Sequence, residues 1–471
     1  MKQALFLFFL PAALAALPHH EQIAPGVWAA GFADKYGSAT CGWVVRGGET
    51  LLIDLPRGVE VNQFLNEVAA LTGRPVRSFA LTARAGQDEA LIAALAQAGV
   101  KLVTAGEGIP LERAFGGAAR ALYFADKQVL FAGPAVVHGP RAALPGTDTA
   151  AWLDALAVLK TRRPARVVPG RGSWGGPELL DRQQRFLAEL RRQVAYGISL
   201  GRAFDKIAAA VLLPASYYTW MPYDNPQPED IRHVYEELTA PRAPYYGKPP
   251  RRSQRNPHAL VLIADRYHEP EHIEAGLRPV FAATKVTPHF LVDYRALNAE
   301  NLAHVDLLVI LRDGMVWPDN FEKPAIWMTP AQEKAVVDFV EAGGGFLNLH
   351  NSMGVYPENG PYLNLVGGRY IGHGPLERFL VEVADPHHPI TRGVAPFFAA
   401  DEQHTPPYDE KRVRLLLRNR SDDGKTAAAG WCHEPGQGRL VHLASGHTRE
   451  ALEHPMFQLL MRNAVNWLLR R

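Results

Sequence analysis

Three times in this sequence a short apolar or glycine-rich run ends in histidine: Gly345-Phe346-Leu347-Asn348-Leu349-His350, Gly367-Gly368-Arg369-Tyr370-Ile371-Gly372-His373, and Leu440-Val441-His442-Leu443-Ala444-Ser445-Gly446-His447. An imidazole changes charge near neutral pH, so one can accept a proton while a neighbouring acid returns one. In an open α/β sheet ligands bind at the carboxyl ends of strands, so histidines placed there are candidates for chemistry rather than packing. The second half of the chain is therefore expected to be the working half.

Such histidines need a scaffold. Buried strands are predicted at Ala259–Ala264, His289–Val292, Leu307–Leu311, Gly345–Leu349 and Leu440–Ala444, separated by helices such as Glu271–Ala282 and Pro330–Ala342. This alternation predicts a mostly parallel, doubly wound sheet. In the first half, strands are predicted at 41–45, 50–54, 77–82, 101–104, 121–124, 128–131 and 166–168, and helices at 59–72, 89–98, 149–160 and 176–196. Between 216 and 257 the composition shifts to Pro, Tyr and Arg, and proline removes backbone donors and fixes φ. That stretch, with its solvated Arg251, Arg252 and Arg255, is predicted to link a domain at 20–215 to one at 258–471. At 471 residues the chain is too long for one ordinary core.

With 47% apolar and 21% charged residues the chain is globular, and 50 basic against 48 acidic side chains give no field that would draw nucleic acid or an anionic membrane. Lys2, the apolar run Ala4–Leu17 and Ala13-Leu14-Ala15 near its end predict a signal peptide over residues 1–16, too short to span a bilayer. The protein is expected to be periplasmic or secreted, with no membrane span after cleavage. Cys41 and Cys432 are expected as buried free thiols. Nothing in the sequence indicates an oligomeric state.

Thr50-Leu51-Leu52-Ile53-Asp54, Ala80-Leu81-Thr82, Val129-Leu130-Phe131-Ala132-Gly133, Pro145-Gly146-Thr147-Asp148 and Val167-Val168-Pro169-Gly170-Arg171-Gly172 make residues 20–210 resemble the metallo-β-lactamase superfamily. That resemblance implies an αββα sandwich, in which zinc is held by a His-x-His-x-Asp-His loop. Here the loop after Thr82 reads Ala83-Arg84-Ala85-Gly86-Gln87-Asp88, Pro134 stands where the bridging aspartate is expected, and Arg171 replaces the histidine of the Pro-Gly-His-Gly turn. Alanine offers no donor to zinc. The expectation is the fold without the activity, a pseudoenzyme domain that is structural or positions a ligand. Arg84 and Arg171 are expected to fill the emptied pocket by pairing with Asp88 or Glu89, the other reading being an anion site. His138 is expected to be solvated.

The second half resembles the ThuA-like, trehalose-utilisation family, whose fold is akin to flavodoxin-like class I glutamine amidotransferases. The resemblance is carried by Gly343-Gly344-Gly345 through His350, Leu365-Val366-Gly367-Gly368-Arg369-Tyr370 with His373, Asp385-Pro386-His387-His388-Pro389, Asp401-Glu402, Ala429-Gly430-Trp431, and Gly436-Gln437-Gly438-Arg439 leading to His447. It implies carbohydrate substrates, oxidised sugars among them. Amidotransferases carry a nucleophilic cysteine on the turn that here reads His350-Asn351-Ser352, so glutaminase chemistry is not expected. Ser352 lacks the glycines of a nucleophile elbow. In a keto sugar the hydrogen beside the ketone is acidic, and a histidine base would drive isomerisation or loss of the glycosidic oxygen.

Within that scheme His350 and His447 are expected as base and acid, with His373 beside them and Glu402 orienting or charging one imidazole. Asn351 would donate to a carbonyl or oxyanion. His404 stands where the family commonly has tyrosine, and is taken as substrate-binding. The leading expectation is an exported carbohydrate-processing lyase, isomerase or hydrolase that acts on a small-molecule sugar and requires no cofactor. Two alternatives stand beside it: a divalent transition metal held by the same histidines and glutamate, which lack a fixed ligand spacing, and a non-catalytic sugar-binding or complex-forming protein.

Overall fold

Alternating strands and helices dominate both halves of the chain in the computed structural model, which describes residues 17, 19–31, 40–56, 59–84, 89–104, 106–139, 142–214, 227–239 and 256–471. Two compact units emerge, one of residues 1–190 and 212–233, the other of 191–211 and 234–471. The predicted signal peptide and Arg251, Arg252 and Arg255 lie outside the described residues. Within the stretch predicted to be a linker, residues Gln227–Thr239 form a helix. Pro228 sits in its first turn, where a missing N–H leaves no bond unmade.

In the first unit, six strands run in the spatial order His19–Ala24, Val27–Gly31, Thr40–Arg46, Glu49–Ile53, Val76–Ala80 and Lys101–Leu102. Four more run Arg166–Gly172, Val129–His138, Arg120–Phe124 and Glu107–Pro110. Alternating side chains of the two sheets, including Val44, Leu51 and Ile53 from the first and Leu122, Phe131 and Val168 from the second, share one core. The opposite face of the six-stranded sheet buries Trp43 and Leu52 against Phe64 and Val68 of helix Val61–Thr72 and Leu91 and Leu95 of helix Glu89–Gln97. Helix Thr149–Thr161 covers the other sheet, the Trp152 indole donating to the Ala135 carbonyl at 2.9 Å. These layers are the expected αββα sandwich.

The second unit is built on nine strands in the order Thr287–Leu291, His258–Ile263, Leu307–Leu311, Gly345–Leu349, Arg439–Leu443, Thr426–His433, Arg414–Arg420, His373–Val383 and Phe397–His404. The first five are parallel, and Leu307–Leu311 and Gly345–Leu349 are buried throughout, as parallel strands covered on both faces must be. Helix Pro330–Glu341 starts with a Thr329/Gln332 capping box and buries Val336, Phe339 and Val340 against Leu308, Ile310 and Phe346. The last four strands are antiparallel, an extension the sequence reading did not foresee. It pairs His373 with His404 and Leu376 with Glu402. Cys41 and Cys432 are buried free thiols, as expected. Among the described residues no helix is long and apolar enough to cross a membrane.

Candidate active site

Strands Gly345–Leu349 and Arg439–Leu443 are parallel neighbours, so the residues just beyond them meet at one edge. His350 takes φ 52°, a left-handed conformation rare for a side-chain-bearing residue and typical of functional turns. Its amide donates to the Leu443 carbonyl at 2.7 Å, and its Nδ1 lies 2.9 Å from the Ala444 carbonyl. A carbonyl only accepts, so Nδ1 carries the proton and Nε2 is left bare. Beyond the second strand, the buried Asp401 carboxylate accepts from the amides of Gly446 at 2.7 Å and His447 at 3.1 Å, pinning the loop that carries His447. Strand periodicity turns the next residue, Glu402, to the opposite face from Asp401.

Glu402 is the hub. Its Oε2 lies 3.3 Å from His447 Nδ1, 3.5 Å from His350 Nε2, 3.6 Å from His373 Nε2 and 3.8 Å from His404 Nε2. The four residues expected to be catalytic are thus brought together with His404. Asn351, His373, Glu402, His404 and His447 line one cavity of about 250 Å³, whereas His350 is fully buried and does not line it. His350 Nε2, both nitrogens of the buried His404 and Asn351 Oδ1 make no hydrogen bond. Buried polar atoms are as a rule completed by a protein group, a water or a bound ion.

Sequence reasoning missed three residues here. His268 follows strand His258–Ile263; its Nδ1 lies 2.8 Å from both oxygens of buried Asp265, and its Nε2 3.1 Å from His447 Nδ1. Asp313 follows strand Leu307–Leu311, lines the same cavity, and donates its amide to Asp265 at 2.8 Å. His350 directly follows its strand, whereas residues 264–267 separate His268 from its own, which weakens the strand-end signal there.

Burial alone would raise the Glu402 carboxyl, but the imidazoles of His350, His404 and His447 gathered around it hold it well below the usual carboxylate range. Burial lowers His404 to about 3, with His350 adding to the effect, and lowers His447 to about 4, helped by His268. Burial and the Asp265 charge raise Asp313. At neutral pH an ionised carboxylate therefore faces neutral His404 and His447.

Other expected groups fall elsewhere. The Ser352 hydroxyl is buried and donates to the carbonyls of Ile310 at 2.8 Å and Leu349 at 2.5 Å, which commits it to the backbone. His388 accepts from the Ile390 amide and shapes its own loop. In the first unit, Arg84 pairs with Glu89 through two hydrogen bonds of 3.0 and 2.6 Å, while Asp88 lies outside the described residues. His138 Nδ1 lies 2.7 Å from the Ser173 carbonyl.

Residues 258–468 match the family model described as ThuA, trehalose utilisation. No curated protein matches the chain. A ThuA-like protein from Bacteroides uniformis is 19% identical over 46% of this chain and 92% of its own, with a TM-score of 0.36. Another from Parabacteroides merdae is 14% identical over 45% and 90%, with a TM-score of 0.38. A metallo-β-lactamase from Pontibacter korlensis is 19% identical over 36% of this chain and 98% of its own, with a TM-score of 0.33.

Proposed function

We propose, on the premise that residues 258–468 form a ThuA domain, that this pocket processes an oxidised, keto-bearing sugar by acid and base chemistry in an exported protein whose first unit does no zinc chemistry. The carrying observation is the convergence of four imidazoles on Glu402, which lines one small cavity. His350 is fully buried, so the proton-handling roles go to groups that line the cavity. His373, a third exposed at the rim, takes the proton beside the ketone; Asp313 returns one to the departing glycosidic oxygen. Asn351 donates to the enolate oxygen as charge develops there. Glu402, held by His350 and His447, orients this array.

The test is to incubate the full chain with a ketoglycoside and with the parent glycoside, following release of the aglycone. Turnover of the keto form, lost by about 100-fold or more in His373→Ala with sugar binding retained, is expected for a general base. Binding without turnover in the unaltered chain would favour a sugar-binding protein instead.

A further inference from the structure

We propose that His268, His350, Glu402 and His447 form a site for one divalent first-row transition-metal ion. The proposal rests on the same pocket as the sugar reading and would supply it with a Lewis acid for the ketone oxygen, but it concerns binding that needs no sugar.

The three imidazoles lie close enough to share one ion, and Glu402 reaches two of them. Bonds of about 2.0–2.2 Å in tetrahedral geometry put neighbouring ligand atoms roughly 3.3–3.6 Å apart. Glu402 Oε2 lies 3.3 Å from His447 Nδ1 and 3.5 Å from His350 Nε2, and His447 Nδ1 lies 3.1 Å from His268 Nε2. The ligand nitrogens of His268, His350 and His447 all lie within 4.8 Å of one another. Two of these separations fall in the ligand range and the third is slightly shorter, while Glu402 falls within the same limit of His350 and His404, so His350 is common to both groups.

The outer contacts fix the same nitrogens. A metal-bound histidine characteristically donates its other ring N–H to a carboxylate or a backbone carbonyl, which sets its tautomer and its aim. His268 does so to Asp265 at 2.8 Å and His350 to the Ala444 carbonyl at 2.9 Å, and both imidazoles are buried. His350 Nε2, nowhere exposed, has no hydrogen-bond partner and points at Glu402. An imidazole buried that way without a ligand wastes an acceptor, and a metal completes it. Three imidazoles and one carboxylate favour zinc, manganese, iron or cobalt over magnesium or calcium, which prefer all-oxygen shells. His404, whose Nε2 forms a second close group with His350 and Glu402, stands beside the ion where a fifth group would enter if the shell expands.

The experiment uses the full chain, stripped with a chelator and titrated with Co²⁺, Mn²⁺ or Zn²⁺ alone. One ion per chain is expected, with visible cobalt d–d absorption and a raised unfolding temperature. Glu402→Gln and His268→Gln should each lose stoichiometric binding while keeping the native circular dichroism spectrum. His289→Ala should not, although His289 lies 2.9 Å from His258 in a separate imidazole pair. Should one variant fail to fold, the other carries the test. Absence of stoichiometric binding by the unaltered chain, or its persistence in Glu402→Gln, overturns the proposal. A chain that binds the ion but turns over no ketoglycoside supports the metal site and sinks the sugar chemistry alone.

Discussion

Asp265 holds the Nδ1 of His268 at 2.8 Å while accepting the backbone amides of Tyr267 at 2.7 Å, His268 at 3.1 Å and Asp313 at 2.8 Å. One buried carboxylate thus ties two strand-end loops together and sets which nitrogen of His268 faces the cavity. Asp265→Asn keeps an acceptor for the amides but can present an NH₂ group to Nδ1, turning the tautomer round. Loss of such an outer contact typically costs about 10- to 100-fold in metal affinity or activity. The expected outcome is a fall of that order in cobalt affinity, read by competition with a chromophoric chelator, with the fold intact by circular dichroism. Unchanged affinity would remove Asp265 from the site.

Ser352 tests whether this turn is a nucleophile elbow. Its hydroxyl donates to two carbonyls and accepts the Arg312 amide at 3.2 Å. Ser352→Ala should therefore cost about 1–3 kcal/mol of stability, the penalty for stranded buried partners, while ketoglycoside turnover stays within about threefold. Urea denaturation reads the first and aglycone release the second. Abolished turnover in a folded variant would restore the serine as nucleophile.

The parts of the fold legible in the sequence were those with unbroken signals. Leu307–Leu311 and Gly345–Leu349 are continuous buried runs with predicted limits that match the strands. His373–Val383 begins with His-Gly-Pro and is largely exposed over its first six residues, so no apolar pattern announced it. Thr426–His433 opens on small residues that carry little periodicity. The antiparallel extension is therefore invisible in the sequence, although Glu402 and the histidines it gathers are evident there as residue types. His268 was passed over because Asp265, Arg266 and Tyr267 separate it from its strand. What recruits it is a hydrogen bond to Asp265, a contact that composition and spacing do not display.

Gly446 tests how tightly the two strand ends must approach. It adopts φ 147°, and a Cβ built on it would lie 3.2 Å from the His350 Cβ. Gly446→Ala must bear backbone strain of about 1–3 kcal/mol and push against His350, the imidazole held between Ala444 and Glu402. A lower unfolding temperature and weakened cobalt binding are expected together. Loss of stability with unaltered binding would show that the strand ends tolerate separation.

In the first unit, Asp54 sets burial against hydrogen bonding. Its carboxylate accepts the Thr82 amide and hydroxyl, both at 2.7 Å, which favours the ionised form, yet burial dominates and raises it to about 6 from a usual 3.8. Between those values the folded chain keeps a proton that the unfolded chain releases, so stability falls as pH rises through the window. At about 1.4 kcal/mol per pH unit the difference is on the order of 3 kcal/mol. Asp54→Asn cannot titrate. The stability advantage of aspartate over asparagine should therefore shrink from pH 4 to pH 7 and stay level above, as measured by urea denaturation of both proteins. An advantage that grows with pH would mean that the two Thr82 bonds outweigh burial and that Asp54 is held ionised.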